Sequence, residues 1–452
     1  MTVTITDVVR QFKRDWTSGL EPTAIAEACR DAGHVWRERV LTPVVTLQLF
    51  FVQILYGNTA CSHLRHLTKL PATAEAYCQA RMRLPLAVFQ TLLRGVTGRL
   101  QETTLDDGRW LGHRTFFADG SSFSMPDTPV LQSCFGQPGQ QQSGCGFPVA
   151  HLMALFHAGT GMVLDVLTAP LRTHDMSRAA ALHPELRSGD VLVADRAFCS
   201  YAHFALLLQR GAHGVLRVHQ RQIVDFTPGR PHVMPRKGKN KHKKDKPRSR
   251  WLRRLGRQDQ VVEWLKPVNC PLWMPWEQFA ALADSIAIRE LCYRIGRKGF
   301  RVKEITLATT LLDSSVYTLA ELSDLYYARW RIETNFGHLK TTMGLDVLKC
   351  KTVDGVRKEL IIFALVYNLV RLVMLEAARR QKVDVERISF IDAARWLAAA
   401  VTNEPLVQLV VNPYRPHRHE PRVRKRRPKQ YPLMTKPRKI LRNLLLDKED
   451  SD

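Results

Sequence analysis

The sequence predicts a mixed α/β protein in which helices pack against a central sheet. Two observations predict this class. Between residues 114 and 219, short apolar runs bounded by turn residues alternate with helical patterns. Helical patterns also flank this stretch, before about residue 105 and after Thr318. The 452 residues, 45% of them apolar, have an ordinary globular composition and room for about two to four domains.

Residues 1–105 are predicted to be a helical N-terminal region. Amphipathic spacing indicates helices at residues 25–40 and 86–100, which are bounded by glycine and proline. The most apolar stretch, residues 40–57, contains a proline and two glutamines. We therefore interpret it as a buried helix and not as a membrane span.

The predicted sheet elements follow in a definite order. Three strands come first, at residues 114–125, 147–157 and 161–171, and an Ala-Gly-Thr-Gly turn joins the last two into a hairpin. A helix, a strand, a second helix and a further strand follow, at residues 175–186, 189–198, 200–211 and 213–219. This is the element order of the ribonuclease-H-like fold, with helices packed on a sheet.

The second half of the chain is predicted to complete this core after an interruption. Residues 106–220 and 313–380 are interpreted as the two parts of the core, and residues 221–312 as a β-rich insertion. Within the insertion, an alternating run with Gly296 and Gly299 predicts a β-hairpin. Residues 381–452 are interpreted as a C-terminal helical region with a basic tail.

The charge is concentrated in two segments. Of the formal net charge of +25, residues 230–257 carry +12 and residues 413–443 carry +11. The remaining residues are close to neutral, so the basic character belongs to two appendages. We expect a polyanionic partner, nucleic acid first and acidic membrane second, with solubilising tails as the alternative. The run at 236–254 is interpreted as a flexible basic loop that contacts phosphates, with Lys241, Lys243 and Lys244 at its centre.

Cysteine usage and the N-terminus indicate a cytoplasmic location. The nine cysteines are scattered with no CxxC spacing, which argues against a zinc site and against a disulfide framework. The first residues lack the apolar core of a signal peptide. We therefore set secretion and membrane insertion aside and expect a cytoplasmic, nucleoid-associated protein.

One continuous helix is predicted from Thr318 to Lys340. Thr318 and Glu321 form a capping box at its start. At about 100° per residue, four polar residues fall within about 60° of one face, beside the apolar stripe. These residues are Tyr326, Arg329, Glu333 and Lys340. Glu333 is thereby expected to be partly desolvated and flanked by cations; a solvated charged face is the ordinary alternative.

Two predicted strands offer carboxylates in comparable settings. Asp119 follows an apolar run and precedes a glycine, and Asp195 ends the run VLVAD. Ligands of α/β sheets collect where strands terminate, although a single aspartate there is commonly a turn or capping residue. Phosphodiester transfer needs charge stabilisation on the attacking and leaving oxygens, which two Mg²⁺ ions held by carboxylates provide. Asp119, Asp195 and Glu333 together therefore predict a two-metal phosphoryl-transfer site.

At these residues the sequence resembles the DDE transposases of bacterial insertion sequences, specifically insertion sequence family four. The mark of that group is Y-x2-R-x3-E-x6-K, which matches Tyr326, Arg329, Glu333 and Lys340 without a gap. The FADGSS and VLVADRAF runs are similar to the sequence segments around the first and second acidic residues of that family. The resemblance covers most of residues 40–400.

The resemblance implies a ribonuclease-H-like catalytic core interrupted by a β-rich insertion, with Asp119, Asp195 and Glu333 as catalytic and metal residues. It implies that Tyr326, Arg329 and Lys340 contact phosphates near the transposon end. It also implies two Mg²⁺ ions, for which Mn²⁺ would substitute. An insertion-domain tryptophan stacks on a flipped base in relatives, and three residues are candidates here: Trp264, Trp273 and Trp276. Trp330 is expected to pack structurally.

The function predicted on these grounds is DNA transposition. The enzyme would cut transposon ends and join their 3′-OH groups to target DNA, through a hairpin intermediate if the family's route applies. Its expected partners are double-stranded terminal inverted repeats, target DNA and a second copy of the chain in a synaptic complex, with the N-terminal region recognising the ends. An inactive DNA-binding repressor of transposition and a metal-dependent nuclease of the same fold remain the alternatives, ahead of an RNA-binding protein.

Overall fold

The structure is a computed structural model. It describes residues 15–414 apart from 70, 104, 106–107, 140–141, 143, 172, 174, 235–245, 296–303 and 402–403. Near the C-terminus it also describes residues 436–437, 440–441 and 443–444. The predicted turn at Gly296 and Gly299 and the lysines Lys241, Lys243 and Lys244 lie outside the described residues.

Helices occupy the described residues before the sheet. After a 3₁₀ turn at Asp15–Leu20 they are α1 (Pro22–Asp31), α2 (Pro43–Leu55), α3 (Cys61–Thr68), α4 (Ala74–Arg83) and α5 (Leu86–Thr103). The prediction of one helix over residues 25–40 was wrong at its C-terminal end. Helix α1 stops at Asp31 because Gly33 adopts a left-handed φ of +68°, which a helix does not continue through.

The strands of the described chain form a single mixed sheet of nine. Their order across it is β3-β2-β1-β4-β5-β9-β8-β7-β6. They are β1 (Thr115–Ser124), β2 (Val149–His157), β3 (Val163–Pro170), β4 (Val191–Ala194), β5 (His213–Arg217), β6 (Arg250–Gly256), β7 (Asp259–Leu265), β8 (Ser285–Arg294) and β9 (Glu304–Thr309). Strands β1, β4 and β5 are parallel, and the other pairs are antiparallel. The predicted mixed α/β class is confirmed.

One feature of the sheet differs from what the sequence suggested, and a second was not part of the prediction. The segment predicted as a flexible basic loop enters strand β6 at Arg250, so that prediction was wrong for its last five residues. Arg250 pairs there with Glu263 of β7, which compensates its charge. Strands β6–β9 also continue the central sheet, since β9 pairs with β5.

Short helices and one long helix cover the sheet. The short ones are α6 (Pro129–Phe135), α7 (Asp175–Ala179), α8 (Tyr201–Gln209) and α9 (Trp276–Ala280). After β9 come α10 (Leu319–Ala328), α11 (Arg331–Gly337), α12 (Val353–Gln381) and α13 (Phe390–Ala399). Helix α12 is long and apolar enough to cross a membrane, but 94% of its most apolar window is buried inside the fold, so it serves as the core helix.

The continuous helix predicted from Thr318 to Lys340 is interrupted. Helix α10 starts where the capping box places it, with the Thr318 hydroxyl accepting from the amide of Glu321. Four amides then bond to carbonyls three residues back, which overwinds the chain as in a 3₁₀ turn. They are the amides of Arg329, Trp330, Ile332 and Glu333. Residues His338–Thr342 then form a π-helical turn, which underwinds it. The two deviations change the direction of each side chain from that on a regular helix.

Candidate active site

Asp119 and Asp195 lie side by side on neighbouring parallel strands. Ala118 of β1 pairs with Ala194 of β4, and each aspartate is the next residue. Asp195 directly follows the last residue of β4, as predicted, whereas Asp119 lies within β1, which runs on to Ser124. The two carboxylates share an edge because β4 is only four residues long and ends beside the middle of β1.

A buried ion pair fixes this arrangement from the opposite end of the strands. The Arg114 guanidinium, just before β1, binds the Asp190 carboxylate, just before β4, through two bonds of 2.8 and 2.6 Å. Both side chains are almost fully buried. Each partner lies five residues before one of the two aspartates. The bidentate pair therefore sets the register that places Asp119 beside Asp195.

Helix α10 and the turn after it bring two of the predicted residues onto the aspartates. The Tyr326 hydroxyl donates to Asp195 Oδ1 at 3.1 Å. Arg329 Nη1 lies 3.1 Å from Asp119 Oδ2, and its guanidinium stands 5.5 Å from the centre of the Tyr326 ring. Burial raises the pKa of the Tyr326 hydroxyl well above its usual range, so at neutral pH it is a proton donor. Burial lowers the pKa of Arg329, but Tyr326 and the two aspartates outweigh this and raise it.

Two further cations complete a basic rim. Lys340, in the π-helical turn, donates to Ser121 Oγ at 3.2 Å and pairs with Asp346 at 3.2 Å. Arg217 ends β5 and places Nη1 4.0 Å from Asp195 Oδ1. The sequence reasoning did not single out Arg217 or Ser121. The sequence could have indicated Arg217, because it lies at the carboxyl end of a predicted strand, and ligands of α/β sheets collect at such ends.

Glu333 occupies a different position from its predicted partners. It is exposed on α11, the helix that packs against β1. Among the residues that the structure describes, no group of three or more His, Cys, Asp or Glu side chains is arranged to hold a metal ion. The structure thus brings Asp119 and Asp195 together with Tyr326 and Arg329, while Glu333 does not join them in one ligand group.

The donor chemistry at the strand edge nevertheless suits a divalent cation. The Asp119 and Asp195 carboxylates are 25% and 33% exposed, so solvent and an ion can reach them. Hard carboxylate oxygens are the ligands that Mg²⁺ takes, usually one or two per ion with water completing the shell. Both carboxylates face cations or a hydroxyl donor, which shows that this edge concentrates negative charge.

The three candidate tryptophans have different surroundings. Trp264 is buried, stands edge-on to Phe204 and donates its indole N–H to Glu290 at 2.9 Å. Trp273 is half-buried and stacks on His203 with 5.0 Å between ring centres. Trp276 is 62% exposed at the start of α9. Trp330 is 45% exposed in the turn after Arg329, which makes it more accessible than a packing residue.

Comparison with known proteins identifies the chain. Residues 110–369, more than half of the chain, match the family model described as Transposase DDE domain. The chain belongs to the DDE transposase family. The matched range includes both aspartates, Glu333 and every residue of the Y-x2-R-x3-E-x6-K pattern. The resemblance stated from the sequence is therefore confirmed.

Two curated relatives from Escherichia coli (strain K12) support the same assignment. The chain is 24% identical over 381 residues to the transposase InsG of insertion sequence element IS4, covering 80% of this chain and 78% of that protein. It is 29% identical over 141 residues to the putative transposase InsZ, covering 31% of this chain and 47% of that one. The chain is thus a DNA transposase of the insertion sequence family four group, and the predicted function is confirmed at that level.

One solved structure is loosely similar in shape. It is a cryo-EM structure of the piggyBac transposase synaptic complex with hairpin DNA, with a TM-score of 0.43 and 11% sequence identity. The likeness covers 88% of this chain and 77% of that chain.

DDE transposases are phosphoryl-transfer enzymes that generally use divalent metal ions, so both properties extend to this family member.

Proposed function

We propose that Asp119, Asp195 and Glu333 form the catalytic triad of this transposase, in a ribonuclease-H-like core interrupted by residues 221–312. The observation that carries the proposal is the pairing of the two aspartates on β1 and β4, with Tyr326 and Arg329 bonded to them. Glu333 follows Arg329 by about one turn, on a helix that packs against β1. A rotation of its side chain toward the strand edge would complete the set.

Two Mg²⁺ ions would be held by these three carboxylates, with Mn²⁺ as a substitute. When bound, they would supply charge stabilisation on the attacking and leaving oxygens of a phosphodiester. The cations of the chain have a separate task. Arg217, Arg329 and Lys340 surround the strand edge and would hold the phosphates of the scissile strand in line. Tyr326 would orient Asp195 and donate to a phosphate oxygen.

The reaction sequence consists of in-line displacements at phosphorus. Water attacks the phosphodiester at the transposon end, the P–O3′ bond breaks, and a 3′-OH and a 5′-phosphate result. That 3′-OH attacks a phosphodiester of the opposite strand, and the 3′-oxygen of the flanking DNA leaves, which gives a hairpin. A second water attacks the hairpin phosphodiester, and the 3′-oxygen of the element leaves again as a 3′-OH. This 3′-OH finally attacks a target phosphodiester and displaces a target 3′-oxygen, which joins the element to new DNA. Trp276, the most exposed of the three candidate tryptophans, is the one best able to stack on an extruded base.

Two protomers would pair two terminal inverted repeats in the nucleoid. The segments at 230–257 and 413–443 would add phosphate contacts, the first through Lys241, Lys243 and Lys244. The helices before β1 would recognise the transposon ends.

A cleavage assay on linear DNA carrying the element's own ends tests the triad. Wild type, Glu333→Gln and Glu321→Gln are compared, each with Mg²⁺ and with EDTA. Glu321 is the matched control because it is an exposed glutamate at the start of α10, away from the aspartates. We expect end-specific nicking by wild type and Glu321→Gln with Mg²⁺ only, and a loss of at least about 1000-fold in Glu333→Gln.

Three outcomes would contradict the proposal in different ways. Normal cleavage by Glu333→Gln would remove Glu333 from the site. Binding of the ends without cleavage by any of the proteins would favour an inactive DNA-binding repressor. Cleavage without joining to a target duplex would favour a nuclease of the same fold.

A further inference from the structure

Two cysteine thiols meet in the helical region before the sheet. Cys61 is the first residue of α3, and Cys78 lies in the middle of α4. The Cys78 thiol donates to Cys61 Sγ at 3.4 Å, and neither residue is part of a disulfide. In the part of the chain that the structure describes, no second pair of thiols is in such contact. Two of the nine cysteines are therefore placed for a reaction with each other.

A buried side chain of α2 fixes both segments that carry these thiols. Gln53 Nε2 donates at 3.0 Å to the carbonyl of Thr59, two residues before Cys61. Gln53 Oε1 accepts at 3.0 Å from Tyr77 and from Arg81, which lie on α4 on either side of the second thiol. Gln53 itself is 1% exposed. The contact between the two sulfurs thus follows from a buried hydrogen-bond frame and not from a chance meeting of mobile side chains.

A disulfide between the two thiols needs only a short closing movement. The S–S bond is about 2.05 Å long, so the sulfurs must approach by roughly 1.4 Å. Both cysteines are half-buried, so a small oxidant reaches them from solvent. Disulfides of cytosolic proteins are usually transient and redox-sensing, because thiol reductants of the cytosol reverse them.

We propose that Cys61 and Cys78 form a redox modification site, which a peroxide oxidises to an intramolecular disulfide between α3 and α4. The thiolate of one cysteine attacks a peroxide oxygen, the O–O bond breaks, and a sulfenic acid and one water result. The second thiol attacks the sulfenic sulfur, the S–S bond forms, and a second water leaves. The two sulfurs lose two electrons to the peroxide, and the two thiol protons leave in the waters. This chemistry does not depend on the proposed transposase function.

The surroundings of the pair determine how fast it reacts. Burial raises the pKa of the Cys61 thiol to about 11, although the positive charge of Arg81 opposes this. Cys61 is therefore protonated at neutral pH, whereas the thiolate is the reactive form of cysteine. We expect slow closure under sustained oxidant, at a rate that rises between pH 7 and pH 9.

Counting free thiols in the full-length protein tests the site. Wild type, Cys61→Ser, Cys78→Ser and Cys134→Ser are treated with hydrogen peroxide at a dose that fully oxidises free glutathione. Remaining thiols are blocked with N-ethylmaleimide, and the unreduced digests are analysed by mass spectrometry. Cys134 is the matched control because it is another half-buried helical cysteine, on α6. Thermal melting of the reduced proteins verifies that every variant is folded.

We expect wild type and Cys134→Ser to form the cross-linked peptide pair that contains Cys61 and Cys78. Both thiols should become unreactive together, and dithiothreitol should restore both. The melting temperature of the oxidised protein should rise by about 2–4 °C, because the cross-link restricts residues 61–78 in the unfolded chain. In Cys61→Ser and Cys78→Ser the cross-link and the rise in melting temperature should both be absent.

Other results would overturn the assignment. Full alkylation of Cys61 and Cys78 after peroxide would show that the pair is inert. Addition of two or three oxygens to either sulfur without a cross-link would show damage and not a reversible modification. Disulfides that join two chains, or that involve other cysteines in preference, would place the reactive thiols elsewhere. None of these results bears on the cleavage assay, so the transposase proposal stands or fails separately.

Discussion

The Arg329 guanidinium pairs with a carboxylate of the site and is also proposed to bind the substrate. Its guanidinium lies 3.1 Å from Asp119 and is 92% buried, so it neutralises one of the carboxylates proposed to hold metal. The same guanidinium is proposed to hold a substrate phosphate. A cation and a metal ion that share one carboxylate compete for it, whereas a phosphate would draw the arginine away. Metal binding and DNA binding should therefore support each other at this residue.

Arg329→Gln should tighten Mn²⁺ binding to DNA-free protein by about 5-fold, since Asp119 loses its cationic partner. End cleavage should nevertheless fall on the order of 100-fold, because the phosphate contact is lost too. Electron paramagnetic resonance of free Mn²⁺ measures the first effect. Arg331→Gln, an exposed arginine on α11, is the control, and Asp119→Asn/Asp195→Asn identifies the signal from the site. Unchanged Mn²⁺ affinity in Arg329→Gln would show that no competition exists.

At the scale of elements, the strands that carry the aspartates depend on an ion pair at their other end. Arg114 and Asp190 are 7% and 3% exposed in their side chains and meet in a bidentate contact. Asp190 also accepts from the amide of Arg187 at 2.7 Å. Removing the carboxylate would leave a buried guanidinium without compensation.

Asp190→Asn should cost about 3–5 kcal/mol in the free energy of unfolding, as a buried pair does when one partner is removed. Urea denaturation measures this. Asp354→Asn, which breaks an exposed contact of 3.9 Å with Arg357, should cost under about 1 kcal/mol. Equal losses in the two variants would mean that the buried pair does not set the register of β1 and β4.

The broken helix explains how far the sequence could predict the site. Periodicity placed Tyr326, Arg329 and Lys340 on one face, and the structure brings each of them to the strand edge. It also predicted that Glu333 belongs to the same line, yet this residue is exposed. A regular 100° step could not anticipate the 3₁₀ turn at Arg329 or the π-helical turn at His338, because that step assumes one constant winding along the whole segment.

The π-helical turn has a titratable residue of its own. His338 stacks on Phe390 with 4.2 Å between ring centres, and burial together with Arg371 lowers its pKa to about 4 despite the opposing charge of Glu386. The folded state therefore favours the neutral imidazole. Its contribution to stability is complete above the unfolded pKa of about 6.5 and is lost as the pH falls toward 4.

His338→Phe should abolish the part of the pH dependence of the free energy of unfolding that comes from His338. Between pH 6.5 and 4, wild type should lose about 2 kcal/mol more of its free energy of unfolding than the variant does. Urea denaturation at several pH values gives the difference. His66→Phe, on the surface of α3, serves as the control and should follow wild type. Parallel curves for wild type and His338→Phe would contradict the predicted shift.

At the scale of the whole molecule, one buried carboxylate connects the N-terminal helices to the catalytic segment. Glu359 of α12 is fully buried and accepts from Asn58 Nδ2 at 2.6 Å, in the turn after α2. It also accepts from the amides of Lys349 and Cys350, which follow the π-helical turn. The sequence offered no sign of this contact, since its partners are about 300 residues apart and each looks like an ordinary polar residue.

Glu359→Gln should weaken the connection between the N-terminal helices and the catalytic segment. The amide would present N–H groups to backbone donors that now meet a carboxylate, so the free energy of unfolding should fall by about 2–4 kcal/mol. End cleavage should fall more than end binding, because the N-terminal helices and the strand edge would no longer be held at one distance. Thermal melting, anisotropy and the cleavage assay measure the three quantities. Glu376→Gln, another buried glutamate of α12 whose partners Arg379 and Arg380 lie on the same helix, is the control. Equal losses of binding and cleavage in Glu359→Gln would show that the network stabilises the fold without positioning the DNA.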